Sequence, residues 1–179
     1  MSRCLIECCT PKQNVMTSVQ EEVWGASASA AARVMKAILD NPMDLETVRR
    51  WTSPDVTYVS LNYENAMLKS VMPWCGTRRG PQALVDTFKG VWRYWSVEAF
   101  EPRATFGDSE HAAMFGSFTY RSTTLGKQVT SPFAVYAHVV GGKCVYLQFM
   151  EDTLATTESF HKGGEWRLHS DPDGGEVTI

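Results

Sequence analysis

Helical periodicity marks the first half of the chain beyond residue 24. Apolar positions recur at helical spacing over 31–39 in an alanine-rich stretch, which predicts a first helix that ends near Pro42. The same spacing over 45–51 predicts a shorter second helix. Gly80 followed by Pro81 predicts the start of a third, strongly amphipathic helix.

Strand patterning takes over in the second half. After Trp95, polar and apolar residues alternate, and turn signals at 107–108, 125–127 and 141–143 divide the region into four strands, which predicts an antiparallel meander. An earlier strand is predicted over 55–61, and the apolar segment after it is expected to cover the sheet. The alternation assigns to one common face Met114, Gly116, Phe118, Tyr120, Phe133, Val135, Val145, Leu147 and Phe149.

This order of elements predicts an α+β fold in which a curved antiparallel sheet wraps around three N-terminal helices. We expect one domain over 25–162, an N-terminal extension over 1–24 and a C-terminal tail over 163–179. Seventeen basic against twenty acidic residues give a net charge of -3, which argues against binding to a phosphate backbone. No apolar run is long enough to span a membrane, so we expect neither nucleic acid nor membrane as a partner.

The cysteines and histidines give no spacing signal for a metal site. The five cysteines, of which three are crowded at Cys4, Cys8 and Cys9, include no CxxC pair. The four histidines show no pair at helical spacing. We therefore expect free thiols in a reducing, cytoplasmic compartment, and neither a metal nor a cofactor.

Three stretches carry a family resemblance: 55–60 before the covering segment, 73–81 at the start of the third helix, and 142–152 at the last strand. On the basis of these stretches, roughly residues 27 to 160 resemble SnoaL-like domain proteins of the nuclear transport factor two-like superfamily. The resemblance implies a cone-shaped fold whose interior pocket binds a small, mostly apolar molecule. It specifies the fold better than the chemistry, because members include isomerases, cyclases, dehydratases, hydrolases and proteins without a known reaction.

The charged groups of two enzyme types in this superfamily are absent at the matched positions. Where a ketosteroid isomerase-like member has its aspartate base, tyrosine and acid, this chain has Ser60, Met35 and an apolar residue within 133–135. A limonene epoxide hydrolase-like member has an Arg-x-Asp pair and a second aspartate. At the matched positions this chain has the uncharged residues 116–118 and Phe149. Serine without an adjacent base does not remove a proton next to a carbonyl at neutral pH.

Two buried phenols, Tyr58 and Tyr120, are therefore the candidate catalytic residues, since a buried phenol needs a hydrogen-bonding partner. The strand parity assigns His138 to the opposite face of the sheet. Glu151 and Asp152 close the last strand, which leaves two alternatives: a position facing the cavity mouth, or the usual one of a strand-end carboxylate, solvated or salt-bridged. The candidate substrate-binding residues, which equally suit a packed core, are Ser60, Trp74, Phe88, Trp92, Phe118, Phe133 and Phe149.

Two functions remain open at this point. The first is an isomerase, cyclase, dehydratase or hydrolase acting on a small apolar metabolite, and it lacks a convincing base. The alternative is a non-catalytic ligand-binding or dimeric interaction domain without the charged groups. The outward sheet face is too aromatic for water alone and predicts a homodimer; it carries Phe115, Tyr136, Tyr146 and Met150.

Overall fold

Helices and strands follow one another in the order that the periodicity predicts. The computed structural model describes residues 28–170 and 172–178, so the predicted extension over 1–24 lies outside the described residues. The helices are α1 (Ala30–Asp40), α2 (Leu45–Trp51), α3 (Ala66–Val71), α4 (Pro81–Tyr94) and α5 (Thr153–Glu158). The strands are β1 (Thr52–Ser60), β2 (Gly76–Arg79), β3 (Trp95–Gly107), β4 (His111–Ser122), β5 (Gln128–Val140), β6 (Lys143–Glu151), β7 (Arg167–Leu168) and β8 (Val177–Thr178).

The three predicted helices correspond to α1, α2 and α4, and local chemistry fixes where each begins. The Ser29 side chain caps α1 by accepting a hydrogen bond from the Ala32 N–H. Asp44 caps α2 in the same way. Gly80, at φ 85, precedes Pro81 at the first position of α4. The predicted covering segment contains two elements that the sequence did not indicate, α3 and β2.

Six strands form one sheet in the order β2-β1-β6-β5-β4-β3. Strands β3 to β6 form the predicted antiparallel meander, whereas β1 pairs with β6 in parallel. Helix α1 packs against β4 and β5, and α4 packs against β1. The predicted fold class is thus confirmed: an α+β domain with helices on one face of a curved sheet.

Burial along the strands follows the predicted parity, with one local exception. In β5, Phe133, Val135 and Ala137 are buried, and the residues between them are partly exposed. In β6 the prediction placed Val145 on the inner face. A β-bulge shifts the register there, since His138 pairs with Tyr146 and Val139 pairs with Cys144. Cys144 is therefore the buried residue in place of Val145.

Within the segment predicted as a C-terminal tail, β7 and β8 pair as a separate two-stranded ribbon. Both strands are exposed. Across residues 28–170 and 172–178, no helix is long and apolar enough to cross a membrane.

Candidate functional site

Stacked aromatic rings from neighbouring strands fill the inner face of the sheet. Phe133 lies at their centre, with ring centroids 4.5 Å from Phe100 and 5.5 Å from Phe149. Phe118 lies 6.4 Å from both Phe133 and Phe149. We call these four residues the interior cluster; the alternation of β4, β5 and β6 brings three of them together.

Both predicted phenols are buried, and Tyr120 lies directly against this cluster. Tyr120 stacks on Phe118 at 4.1 Å, and Tyr58 stacks on Phe88 of α4 at 6.0 Å. Burial is the main cause of a raised pKa for each phenol, and the charge of Glu151 raises both pKa values further. The two hydroxyls therefore stay protonated and available as donors at any pH in the physiological range.

Glu151 is the acidic group of this interior. It is the last residue of β6, paired with Phe133 of β5. The residue as a whole keeps some contact with solvent, but its Oε1 atom is enclosed and has no hydrogen-bonding partner among the described residues. Burial raises the pKa of the carboxyl to about 7, opposed by a hydrogen bond from Thr156 and reinforced by the charge of Asp152. Such a carboxyl both accepts and releases a proton near neutral pH.

Of the two alternatives for Glu151, a solvated or salt-bridged strand end and a side chain that faces the cavity mouth, the second agrees with its enclosed Oε1 atom. No base pairs with it among the ion pairs of the described residues. The period-two pattern held the correct signal, because Leu147, Phe149 and Glu151 alternate on one face of β6. Strand parity, not the position at a strand end, decides where this side chain lies.

The other predicted substrate-binding residues separate into two groups. Ser60 is buried and its hydroxyl forms a hydrogen bond that lowers the pKa of Tyr58. Trp74, from the covering segment, is buried in edge contact with Trp95 at 5.1 Å. Trp92 does not line the interior, since 50% of its surface is exposed. The chain leaves α4 after Tyr94, and β3 buries Trp95 instead.

A separate hollow of about 650 Å³ opens on the surface beside α5. Its lining includes Lys127, Glu158, His161 and Trp166, and none of the predicted site residues. Lys127 and His161 are both within ion-pair distance of Glu158. We assign the candidate site to the interior instead, because the Oε1 atom of Glu151 is enclosed there and has no hydrogen-bonding partner among the described residues.

Comparison with known proteins agrees with the fold and adds a family. The chain is 41% identical over 139 residues to patulin synthesis protein F of Aspergillus clavatus, covering 75% of this chain and 70% of that protein. The chain belongs to the patulin synthesis protein F family. A second relative, patulin biosynthesis cluster protein F of Penicillium expansum, is 38% identical over 136 residues, covering 74% of this chain and 68% of the relative. No family model matches the chain.

Solved structures agree with the fold that the resemblance implies. A nuclear transport factor two-like protein from Burkholderia xenovorans aligns with a TM-score of 0.64 at 17% identity, over 76% of this chain and 100% of that chain. A protein from Jannaschia sp. CCS1, provisionally described as a SnoaL-like polyketide cyclase, aligns with a TM-score of 0.58 at 11% identity. The alignment covers 78% of this chain and 100% of that chain. The nuclear transport factor two-like fold that the resemblance implies is confirmed.

Proposed function

We propose that this protein is a biosynthetic enzyme that binds a small, mostly apolar, oxygen-bearing molecule inside the sheet and moves a proton on it. The observation that carries the proposal is the enclosed Oε1 of Glu151, which lies near two buried phenols and has no hydrogen-bonding partner among the described residues. A buried polar atom without a partner is unfavourable, and a ligand that donates a hydrogen bond satisfies it. The names of both relatives place them in patulin biosynthesis, which supports a biosynthetic role here.

Glu151 supplies the base that the sequence prediction lacked. With its pKa raised to about 7, the carboxylate takes a proton from a carbon next to a carbonyl, or the carboxylic acid gives one to a departing hydroxyl. Tyr58 and Tyr120 remain neutral and donate hydrogen bonds to the oxygen on which negative charge develops. Isomerisation, cyclisation and dehydration all require this pairing of a proton carrier with oxygen-directed donors.

A non-catalytic dimeric interaction domain is the second candidate, and the tight ring packing favours it. Phe100 and Phe133 stack at 4.5 Å, and Phe118 and Tyr120 stack at 4.1 Å, as in a core that fills itself. In that case Glu151 is dispensable for activity. The two candidate functions therefore predict opposite effects of Glu151→Gln on activity.

The test is complementation of a Penicillium expansum strain that lacks patulin biosynthesis cluster protein F, with patulin measured by chromatography. We expect the wild-type chain to restore patulin, and Glu151→Gln to abolish it at equal protein level. Tyr58→Phe and Tyr120→Phe should each lower it at least about tenfold, as for a lost transition-state donor. Glu165→Gln, which changes an exposed glutamate, is the matched control.

Each outcome of the complementation decides one part of the proposal. Full activity of the Glu151→Gln variant would remove the proton-transfer role and leave the non-catalytic interaction domain. Failure of the wild-type chain, with soluble protein present, would show that it does not take the relative's substrate. Native mass spectrometry of the gently purified chain, compared with the denatured sample, then gives the mass of any small molecule that the protein retains.

We also propose that two copies associate through the outward sheet face and that the protein works in the cytoplasm. Phe106 and Phe115 stack on each other at 5.6 Å on that face while 58% and 46% exposed. Exposed aromatic pairs of this kind favour burial against a partner. Cys75 and Cys144 are free thiols, which supports a reducing compartment.

A further inference from the structure

Two histidines that are far apart in the chain meet on the outer face of the sheet. His111 is the first residue of β4, and the antiparallel register pairs it directly with His138 of β5. Their rings lie parallel, with centroids 4.6 Å apart. Glu110 immediately precedes His111 and completes a group whose ligand atoms all lie within 4.8 Å of one another.

We propose that Glu110, His111 and His138 bind a divalent transition-metal ion, with Zn²⁺ as the best match. Zinc takes imidazole nitrogens and carboxylate oxygens at about 2.0–2.2 Å, so tetrahedral ligand atoms lie about 3.4 Å apart. The three donors therefore need to approach one another by about 1.5 Å, which side-chain rotation provides because Glu110 and His111 are exposed and His138 is half-buried. Three protein ligands leave one tetrahedral position to water or to another ligand.

The surroundings of the histidines already resemble those of metal ligands. The hydroxyl of Tyr136 lies 2.8 Å from Nδ1 of His111. A metal-bound histidine usually has a hydrogen-bonding partner on the ring nitrogen that does not bind the metal. That partner orients the ring, so that in His111 the other nitrogen, Nε2, is the one left to bind the metal. Tyr136 therefore acts as a positioning residue for His111, on the same sheet face.

Backbone hydrogen bonds hold the third ligand in place. The Asp108 side chain accepts hydrogen bonds from the N–H groups of Glu110 and His111, at 2.8 Å and 2.7 Å. The Glu110 carbonyl accepts one from the Val139 N–H at 2.7 Å, which ties this turn to β5. The turn and the strand pair thus bring all three ligands to one position on rigid backbone.

The donor set selects the class of ion. Two imidazoles and one carboxylate favour Zn²⁺, Ni²⁺ or Cu²⁺ over Mg²⁺ and Ca²⁺, which prefer sites made only of oxygen. This site lies on the face of the sheet opposite to Glu151 and the phenols, and it is independent of the proposed reaction. Sequence spacing did not indicate it, because only the β4–β5 register brings His111 and His138 together.

The test is isothermal titration of the full-length chain, carrying no histidine tag, with ZnCl₂ alone. Cys4, Cys8 and Cys9 are changed to serine in every sample so that their thiolates do not compete for zinc. We expect one Zn²⁺ per chain, and a Co²⁺ titration should give the visible absorption of a tetrahedral site.

Four variants assign that binding to the proposed residues. His111→Gln and His138→Gln should each abolish it, and Tyr136→Phe should weaken it about tenfold, within the range for a partner of a metal-bound histidine. His161→Gln is the matched control, because it removes another imidazole that lies beside a carboxylate, Glu158. Circular dichroism confirms that each variant is folded.

The proposal is overturned if His138→Gln binds zinc as the parent does, or if His161→Gln loses binding to the same extent. It is also overturned if no heat or Co²⁺ absorption appears with the folded parent. As a second readout, Zn²⁺ should raise the Tm of the parent and of His161→Gln, and leave the Tm of His138→Gln unchanged. An equal rise in all three proteins would mean that the ion binds elsewhere.

Discussion

Replacing Glu151 by glutamine should change how stability depends on pH. Burial raises the pKa of this carboxyl from 4.5 to about 7, so within that window the folded protein binds a proton that the unfolded chain has released. The contribution of Glu151 to the free energy of unfolding therefore falls as the pH rises through the window, and the loss is complete above pH 7. Glutamine has a similar shape and no charge to bury.

The magnitude follows from the size of the pKa shift. A rise from 4.5 to about 7 corresponds to about 3 kcal/mol of stability. Relative to the wild type, Glu151→Gln should therefore gain about 3 kcal/mol between about pH 4.5 and pH 8. Asp44 and Asp108, whose pKa values are lowered by hydrogen bonds, titrate in both proteins and cancel in the difference.

Urea unfolding followed by tryptophan fluorescence, at several pH values, measures this difference. The absolute stability of the variant at one pH is less informative, because the amide brings its own hydrogen-bonding demands. Glu165→Gln, at an exposed position, should track the wild type at every pH. Parallel stability curves for wild type and Glu151→Gln would refute the assignment of Glu151 as a buried carboxyl with a raised pKa.

Three further substitutions test the packing and the outer face. Gly116→Ala should destabilise the fold by at least about 1–3 kcal/mol in urea unfolding, because the added Cβ clashes with the backbone carbonyl oxygen of Glu101 and lies 2.7 Å from the Phe133 ring. Ser159→Ala should cost about 1–3 kcal/mol in the same assay, since Nε1 of buried Trp95 donates to the Ser159 hydroxyl at 2.9 Å. Phe115→Asp should convert a dimer to a monomer in sedimentation velocity with little change in Tm, and an unchanged dimer would exclude this face as the interface.

The sequence predicts most of this fold because its signals are local. Period-two alternation and glycine-containing turns define the meander, and apolar residues at helical spacing define α1, α2 and α4. The signals fail where a tertiary contact decides the outcome. The bulge that buries Cys144 in place of Val145 depends on the register between β5 and β6, and nothing in β6 alone indicates it.

The sequence predicted the aromatic residues of the candidate site, but not its charged residue, Glu151. The alternation correctly brought Phe118, Phe133 and Phe149 to one side of the sheet. Trp92 was placed inside by helical spacing alone, which does not reveal where a helix runs past its neighbours. Glu151 was assigned by the usual behaviour of strand ends, although its parity pointed inward.

The buried carboxyl gives the strongest physical argument for a ligand. Above pH 7 the ionised Glu151 opposes folding by about 3 kcal/mol, and its Oε1 has no hydrogen-bonding partner among the described residues. A molecule that donates a hydrogen bond to Oε1 offsets that loss only in the folded state, so its binding also lowers the pKa of the carboxyl. An interior filled only by its own rings offers no such compensation. The carboxyl among stacked aromatic rings is therefore easier to explain as a group that acts on a bound molecule than as part of a closed core.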